Sequence, residues 1–329
     1  MNAALAHALI DTRRASGTGR WLPQARAALA RARIPLAQAA LADCHLCAHH
    51  CGVNRLAGER GLCKAGTRTR IFSAQVEVAD ELELIPTFAI APSGCDLRCA
   101  FCITGEASWN PRAGEEFVPE ALAADAAAAL ANGARSIMIL GGEPTIHLPT
   151  VLEIVAALPG EATLVWKTNA HATAEARALL DGLFDVWLAD YKFGNDACAL
   201  RLARVADYTR VARENLRWMA GGQKSEVRSQ KSEIAIQNAG SRIQNSKLKT
   251  QNSELIVRHL LLPGHVECCW RPIAAWLAAE LPGVKVSLRT EYWPAWQASR
   301  HVEIHGPIAE VERRQARDIA HEHTLNLIA

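Results

Sequence analysis

From about residue 85 the chain alternates short apolar runs with longer stretches of helical periodicity. The apolar runs are Thr87–Ala91, Ser136–Leu140, Thr163–Lys167, Asp185–Ala189, Leu255–Leu262 and Lys285–Leu288. Helix-like segments such as Pro119–Asn132 and Ala197–Met219 stand between them. Short buried strands alternating with helical crossovers predict an α/β fold built on a parallel sheet. Six such units predict a partial (β/α)6 barrel over residues 85–329.

Two segments depart from that rhythm. Residues 1–43 are rich in Ala and Arg and read as a helical amino-terminal extension, followed by a cysteine-, glycine- and histidine-rich stretch at 44–66. Residues 222–254 repeat QKSE at Gln223 and Gln230, then QNSK at Gln244 and QNSE at Gln251, with no aromatic residue. Such composition cannot build a core, so this segment reads as a disordered low-complexity insertion. It falls between a helix and the next strand, on the face opposite the strand ends where a site is expected.

With 329 residues, half of them hydrophobic, the chain can fill one barrel-sized core. Its 36 basic and 34 acidic side chains nearly cancel, which argues against nucleic-acid partners and against an anionic membrane surface. No apolar run approaches the roughly 20 residues of a membrane span. Met1–Arg14 shows no cleavage-like signal, so a cytoplasmic location is expected. Ten cysteines in a reducing compartment point to metal or catalysis rather than to disulfides, and seven of them fall in two groups.

The first group is Cys95-Asp-Leu-Arg-Cys99-Ala-Phe-Cys102, directly after the first strand. Three thiolates on one loop can hold three irons of a cubane and leave the fourth open. Structural zinc would need a fourth ligand, and only a distant residue such as His147 could supply it. Gly141-Gly142-Glu143-Pro144 follows the second strand. Its glycines permit close backbone approach, and Glu143 places a carboxylate where a ligand ammonium could bind. A plain strand-ending turn accounts for Gly and Pro but not for the acid. Thr168 and Asn169, then Asp190 and Lys192, then Pro263-Gly-His265, then Glu291-Tyr292 follow the remaining strands. In a barrel these ends share one mouth.

CDLRCAFC followed by GGEP resembles the radical S-adenosylmethionine (SAM) superfamily. The stretches ILGGEPTIHLP, WLADYKFGNDACALRL and RHLLLPGHVECC resemble its branch related to pyruvate formate-lyase activating enzymes. The resemblance covers residues 44 to 320 without the insertion. It implies a [4Fe–4S] cluster on Cys95, Cys99 and Cys102 whose free iron chelates the amino and carboxylate groups of SAM. Reductive cleavage of the sulfonium would give a 5′-deoxyadenosyl radical that abstracts hydrogen from a substrate. By motif position Phe101 packs near the adenine, and Gly141, Gly142 and Glu143 hold the methionine ammonium. Asn169, Asp190 and Lys192 complete the cofactor site.

The resemblance also implies an electron donor such as flavodoxin or ferredoxin, and a glycyl-radical enzyme as partner. A peptide or small metabolite is the alternative substrate, and a non-enzymatic Fe–S or zinc-binding protein is a third reading. Two departures bear on the choice. Lys167-Thr168-Asn169 stands where the activases carry Asp-Thr-Asn beside a monovalent cation, so the Lys167 ammonium could replace that cation, or simply pair with Asp190 or Asp185. Glu291-Tyr292-Trp293 stands where they carry a SAM-contacting histidine.

The second group is Cys44, Cys47, Cys51 and Cys63, flanked by His45, His49 and His50. Its spacing fits a second Fe–S cluster or a structural zinc. Cys268 and Cys269, just past the fifth strand, are candidates for quenching a substrate radical or meeting a partner. Cys198 lies on a helix-like stretch and reads as a core side chain.

Overall fold

The computed structural model describes residues 24–79, 81–221 and 253–328. In chain order the elements are helix α1 (Ala25–Ala39), strands β1 (Ile71–Glu77) and β2 (Thr87–Pro92), helices α2 (Glu106–Trp109) and α3 (Pro119–Ala131), and β3 (Ser136–Ile139). Then come a 3-10 turn (Pro144–His147), α4 (Leu148–Ala157), β4 (Leu164–Thr168), α5 (Ala174–Leu180), β5 (Val186–Asp190), α6 (Asp196–Ala203) and α7 (Tyr208–Met219). The chain ends with β6 (Glu254–Leu260), a π-helical turn (Val266–Trp270), α8 (Arg271–Glu280), β7 (Lys285–Arg289), α9 (Glu310–Glu322) and β8 (Asn326–Leu327).

All eight strands form one open sheet in sequence order, with β1 antiparallel to β2 and every later pair parallel. The six strands read from the sequence are β2 to β7, each within two residues of its observed ends. Side chains alternate across the sheet because the strand period is two. Met138, Val165, Leu188 and Ile256 pack together on one face, and Ile137, Ile139, Leu164 and Trp187 join the larger core on the other.

Three boundaries differ from the sequence reading. The stretch 197–219 is two helices, because Arg204 adopts a left-handed conformation (φ 60°) that closes α6. Glu254, assigned above to the insertion, pairs with Val186 as the first residue of β6. Strands β1 and β8 extend the sheet at its two edges. The readings of residues 1–23 and 222–252 lie outside the described residues.

Helix α1 packs along α4 and touches α5. Its buried Arg26 donates to the Ala162 carbonyl and to the Asp185 carboxylate, each at 2.6 Å. Asp185 in turn accepts from the Leu164 N–H at 2.9 Å, so this helix is clamped to the amino ends of β4 and β5. Among the described residues no helix is long and apolar enough to cross a membrane.

Candidate active site

The loop after β2 carries the first thiols and is held from three sides. The N–H groups of Arg98 and Ala100 donate to the carbonyls of Ala203 and Leu202, at the end of α6. The Gln297 N–H, in the loop after β7, donates to the Ala100 carbonyl at 2.8 Å. The Arg98 guanidinium donates to the carbonyls of Cys95 and Leu62, each at 2.7 Å. Cys95 is buried, and Cys99 and Cys102 are half-buried. Cys95 Sγ accepts from the Leu97 N–H at 3.4 Å and from Asn169 Nδ2 at 3.8 Å. Burial pushes the Cys95 thiol up, with the Asp96 charge adding to it, and pushes Cys99 up to about 12 although Lys192 works the other way. A bound cation reverses that balance.

The glycine–glutamate turn after β3 lies directly against this loop. A Cβ on Gly142 would stand 1.9 Å from the Gly94 carbonyl oxygen, and one on Gly141 (φ +100°) would stand 2.4 Å from that of Pro92. The N–H of Gly142 donates to Pro92 at 3.0 Å and that of Glu143 to Gly94 at 2.9 Å. Here the glycines let two turns of the chain interlock.

The Glu143 side chain is buried and engaged within the protein. It accepts from Thr145 N–H (3.1 Å), Thr145 Oγ1 (2.5 Å), Thr168 Oγ1 (2.9 Å) and Asn169 N–H (2.8 Å). It therefore ties the end of β3 to the end of β4. Burial, then the Asp96 charge, push its carboxyl up to about 7, while the four donors favour the anion.

A buried polar network joins these pieces. Asp96, inside the thiol loop, accepts from Asn169 Nδ2 at 2.7 Å and pairs with His171 Nδ1 at 2.7 Å. Burial alone would raise its carboxyl, but His171 and Asn169 hold it below the usual range. His49 Nε2 lies 3.0 Å from the Asp96 carbonyl, and its ring meets His171 edge-on at 4.9 Å. Sequence reading missed Asp96 and His171. The Asp that follows a motif cysteine was the available signal.

At the end of β5, Lys192 Nζ pairs with Asp190 at 2.5 Å, and Arg258 Nε stands 4.0 Å from the same carboxylate. Burial works against the Asp190 anion, yet Lys192, Arg258 and Lys167 together hold its carboxyl low. Burial also opposes the Lys192 cation, yet Asp190 and the Cys99 thiol hold it above the ordinary lysine value. The Tyr208 hydroxyl, from α7, accepts from the Lys192 N–H at 2.9 Å and lies 3.1 Å from the Asn169 carbonyl, joining the ends of β4 and β5. Phe101 is buried against Phe193, with ring centroids 6.0 Å apart.

Other candidates sit elsewhere. Both ring nitrogens of His147 are engaged, Nε2 with the Ser93 carbonyl (2.7 Å) and Nδ1 with Thr69 Oγ1 (3.0 Å). After β7, Glu291 bonds Thr290 at 2.8 Å, the buried Tyr292 hydroxyl donates to the Ile304 carbonyl at 2.7 Å, and Trp293 is exposed.

The amino-terminal cysteines dock on the same loops. Cys47 pairs with Ala172 as an isolated bridge, the Ala48 N–H donates to the His171 carbonyl at 2.9 Å, and Thr173 Oγ1 donates to the His45 carbonyl at 2.7 Å. Arg55 Nη1 reaches Cys44 Sγ (3.8 Å) and the Ile146 carbonyl (2.8 Å). Cys44, Cys47 and Cys63 are buried and Cys51 is exposed. Burial raises Cys47 most, with Asp96, Cys63 and Cys51 adding to it. A Cβ on Gly61 would meet Cys51 Sγ at 2.7 Å.

Cys198, expected as a plain core side chain, is buried but faces a thiol: its Sγ lies 3.8 Å from that of Cys268. Cys269 is buried beside them and Cys268 is exposed.

The donor set fits an Fe–S cluster at the first motif. Among the described residues, the groups whose donor atoms converge within 4.8 Å are Cys198/Cys268/Cys269 and His49/Asp96/His171, and neither cysteine motif forms one. A single tetrahedral ion at about 2.3 Å from each sulfur draws its thiolates to roughly 3.8 Å of one another. A cubane binds each thiolate to a different iron and spreads them more widely.

The eight strands in this order thus place three thiols after β2 and lock a glycine–acid turn against them. Residues 90–220 match the model of the Radical SAM superfamily. That family implies a [4Fe–4S] cluster and SAM. The uncharacterized protein MJ0674 of Methanocaldococcus jannaschii is 25% identical over 311 residues, covering 90% of this chain and 79% of the relative. Among solved structures, Streptococcus suis SuiB bound to the precursor peptide SuiA is similar, with TM-score 0.48 and 14% identity over 71% of this chain and 46% of that one. SuiB bound to S-adenosylmethionine gives TM-score 0.46 and 14% identity over 71% of this chain and 47% of that one. This chain therefore spans a little under half the length of those two.

Proposed function

We propose that this protein is a radical SAM enzyme that cleaves S-adenosylmethionine reductively and uses the resulting 5′-deoxyadenosyl radical to abstract hydrogen from a substrate. When bound, the cluster supplies the electron to the sulfonium and the chelating iron that holds its amino acid moiety. The observation that carries the reading is the interlock of the two motifs, with Gly142 against Gly94 and the Glu143 N–H on the Gly94 carbonyl.

The chain's own residues have distinct parts in this reading. Cys95, Cys99 and Cys102 bind the cluster. Glu143 and Asn169 fix the loops around the methionine moiety. Asp190 and Lys192 meet the cofactor at the end of β5, and Phe101 shields the adenine from water. The set Cys44, Cys47, Cys51 and Cys63 holds a second Fe–S cluster. Support for that comes from the four-thiolate donor set, which docks on the loops that carry Asp96 and His171. An electron donor of the flavodoxin or ferredoxin kind reduces the assembly.

A glycyl-radical enzyme is one substrate for this chemistry, as the Asp190-Tyr-Lys192 sequence suggests. A peptide or small metabolite is favoured by the departures at Lys167 and Glu291 and by the amino-terminal cysteine segment.

Anaerobic reconstitution with iron and sulfide, reduction, and assay for 5′-deoxyadenosine test the reading. Iron-loaded protein that releases none under reducing conditions overturns it. Activity independent of potassium and sodium supports the Lys167 role. A glycyl radical signal in a candidate partner supports the activase version. Iron and zinc quantification on the Cys95/Cys99/Cys102→Ala triple variant decides the metal of the amino-terminal set.

A further inference from the structure

A third group of thiols lies apart from both motifs. Cys198 is in the first turn of α6, and Cys268 and Cys269 are in the π-helical turn after β6. The loops after β5 and β6 bring them together at the carboxyl end of the sheet, where their three sulfurs converge within 4.8 Å. The Cys198 to Cys268 separation is 3.8 Å. Two thiolates on one tetrahedral zinc at about 2.3 Å stand roughly 3.8 Å apart. We propose that Cys198, Cys268 and Cys269 form a thiolate zinc site, with the fourth position open to solvent beside Cys268.

The surroundings are those of a thiolate site. Asn195 Nδ2 points at Cys198 Sγ (3.3 Å) and Cys269 Sγ (3.7 Å), and donates to the Cys268 carbonyl at 2.6 Å. One amide thus faces two of the ligands and fixes the backbone of the third, the part an outer shell takes around a metal. Arg201 Nη2 lies 3.9 Å from Cys198 Sγ and 3.3 Å from His265 Nε2. The guanidinium, which also pairs with Glu303 Oε1 at 2.7 Å, stands beside the single negative charge that three thiolates leave on a divalent ion. A Cβ on Gly194 would stand 2.1 Å from the Cys269 carbonyl oxygen, so the backbone closes on the site as tightly as it can. Burial, with the nearby Cys198 thiol adding to it, pushes Cys268 and Cys269 up. Zinc binding reverses that by displacing three protons to solvent.

The site has a structural consequence. Helix α6 is capped by Asn195 and ends at Leu202 and Ala203, whose carbonyls receive the Ala100 and Arg98 N–H groups of the thiol loop. Zinc would pin the start of the helix to the turn after β6, so that its far end holds that loop in register.

The test uses the full chain under anaerobic, reducing conditions with zinc as the only added metal. Alkylation of each cysteine is followed by peptide mass spectrometry with and without zinc. Protection of Cys198, Cys268 and Cys269 together is expected. Zinc content of the Cys198→Ser and Cys268→Ser proteins should fall by about one equivalent from wild type. Cobalt in place of zinc should give a tetrahedral thiolate spectrum that either substitution alters. Unchanged labelling of the three cysteines on adding zinc overturns the proposal even where a variant fails to fold. So does zinc content equal to wild type in folded Cys198→Ser and Cys268→Ser proteins.

Discussion

The side-chain amide of Asn169 donates to the carboxylate of Asp96 at 2.7 Å, while its backbone N–H donates to Glu143 at 2.8 Å. One residue at the end of β4 thus holds the thiol loop with one hand and the glycine–glutamate turn with the other. Substituting Asp96→Asn turns one acceptor oxygen into a donor facing Asn169 or His171. That should destabilise the protein by about 1–3 kcal/mol and lower the iron bound after reconstitution. Urea unfolding and iron analysis check it. Wild-type stability and iron content in the variant would show that the network is incidental.

Gly142→Ala should be far more damaging than its one methyl group suggests. The added Cβ would fall 1.9 Å from a backbone oxygen, which has no flexible end to move aside. Cluster absorption should be largely lost. Gly306→Ala meets nothing within 4 Å and serves as the matched control, with stability within about 0.5 kcal/mol of wild type.

His259 is buried, stacked on Trp270 at 5.1 Å, and its Nδ1 faces the Tyr191 carbonyl at 2.8 Å. Its Nε2 has no partner among the described residues. Burial lowers its pKa to about 4, from 6.5 in the unfolded chain. The unfolded state therefore takes up a proton first as pH falls. This histidine's contribution is intact above about pH 6.5 and is lost on the way down to about 4. Between pH 7 and 5 it should remove about 2 kcal/mol of stability. Urea midpoints of wild type and His259→Leu across that range measure it. An equal slope in both proteins would sink the assignment.

Arg26→Ala should cost about 3 kcal/mol, because it removes a buried cation from the Asp185 carboxylate and a donor from the Ala162 carbonyl. Asp185→Asn should cost less, since the guanidinium keeps the Ala162 carbonyl. Thermal melting of the two variants should rank them in that order.

The six central strands were legible because each is a short apolar run between helical segments, and the sheet follows chain order without crossings. Strand β1 was not legible, since IFSAQVE is half exposed and owes its place to an antiparallel pairing with β2. The break at Arg204 hides in a continuous helical pattern. Both cysteine motifs announce themselves by spacing, whereas the partnership of Cys198 with Cys268 joins residues 70 positions apart. Glu143 was singled out as a carboxylate for a ligand ammonium, but its four donors come from Thr145, Thr168 and Asn169, and periodicity does not reveal which side chains a buried acid will meet.

His45 and Thr173 touch across a separation of 128 residues. During synthesis the amino-terminal thiols emerge from the ribosome long before the β4 loop that seats them. Metal given to those thiols co-translationally would meet a nascent chain with half its docking surface still unmade. The seat of that segment is therefore complete only once β4 and the loop after it have folded.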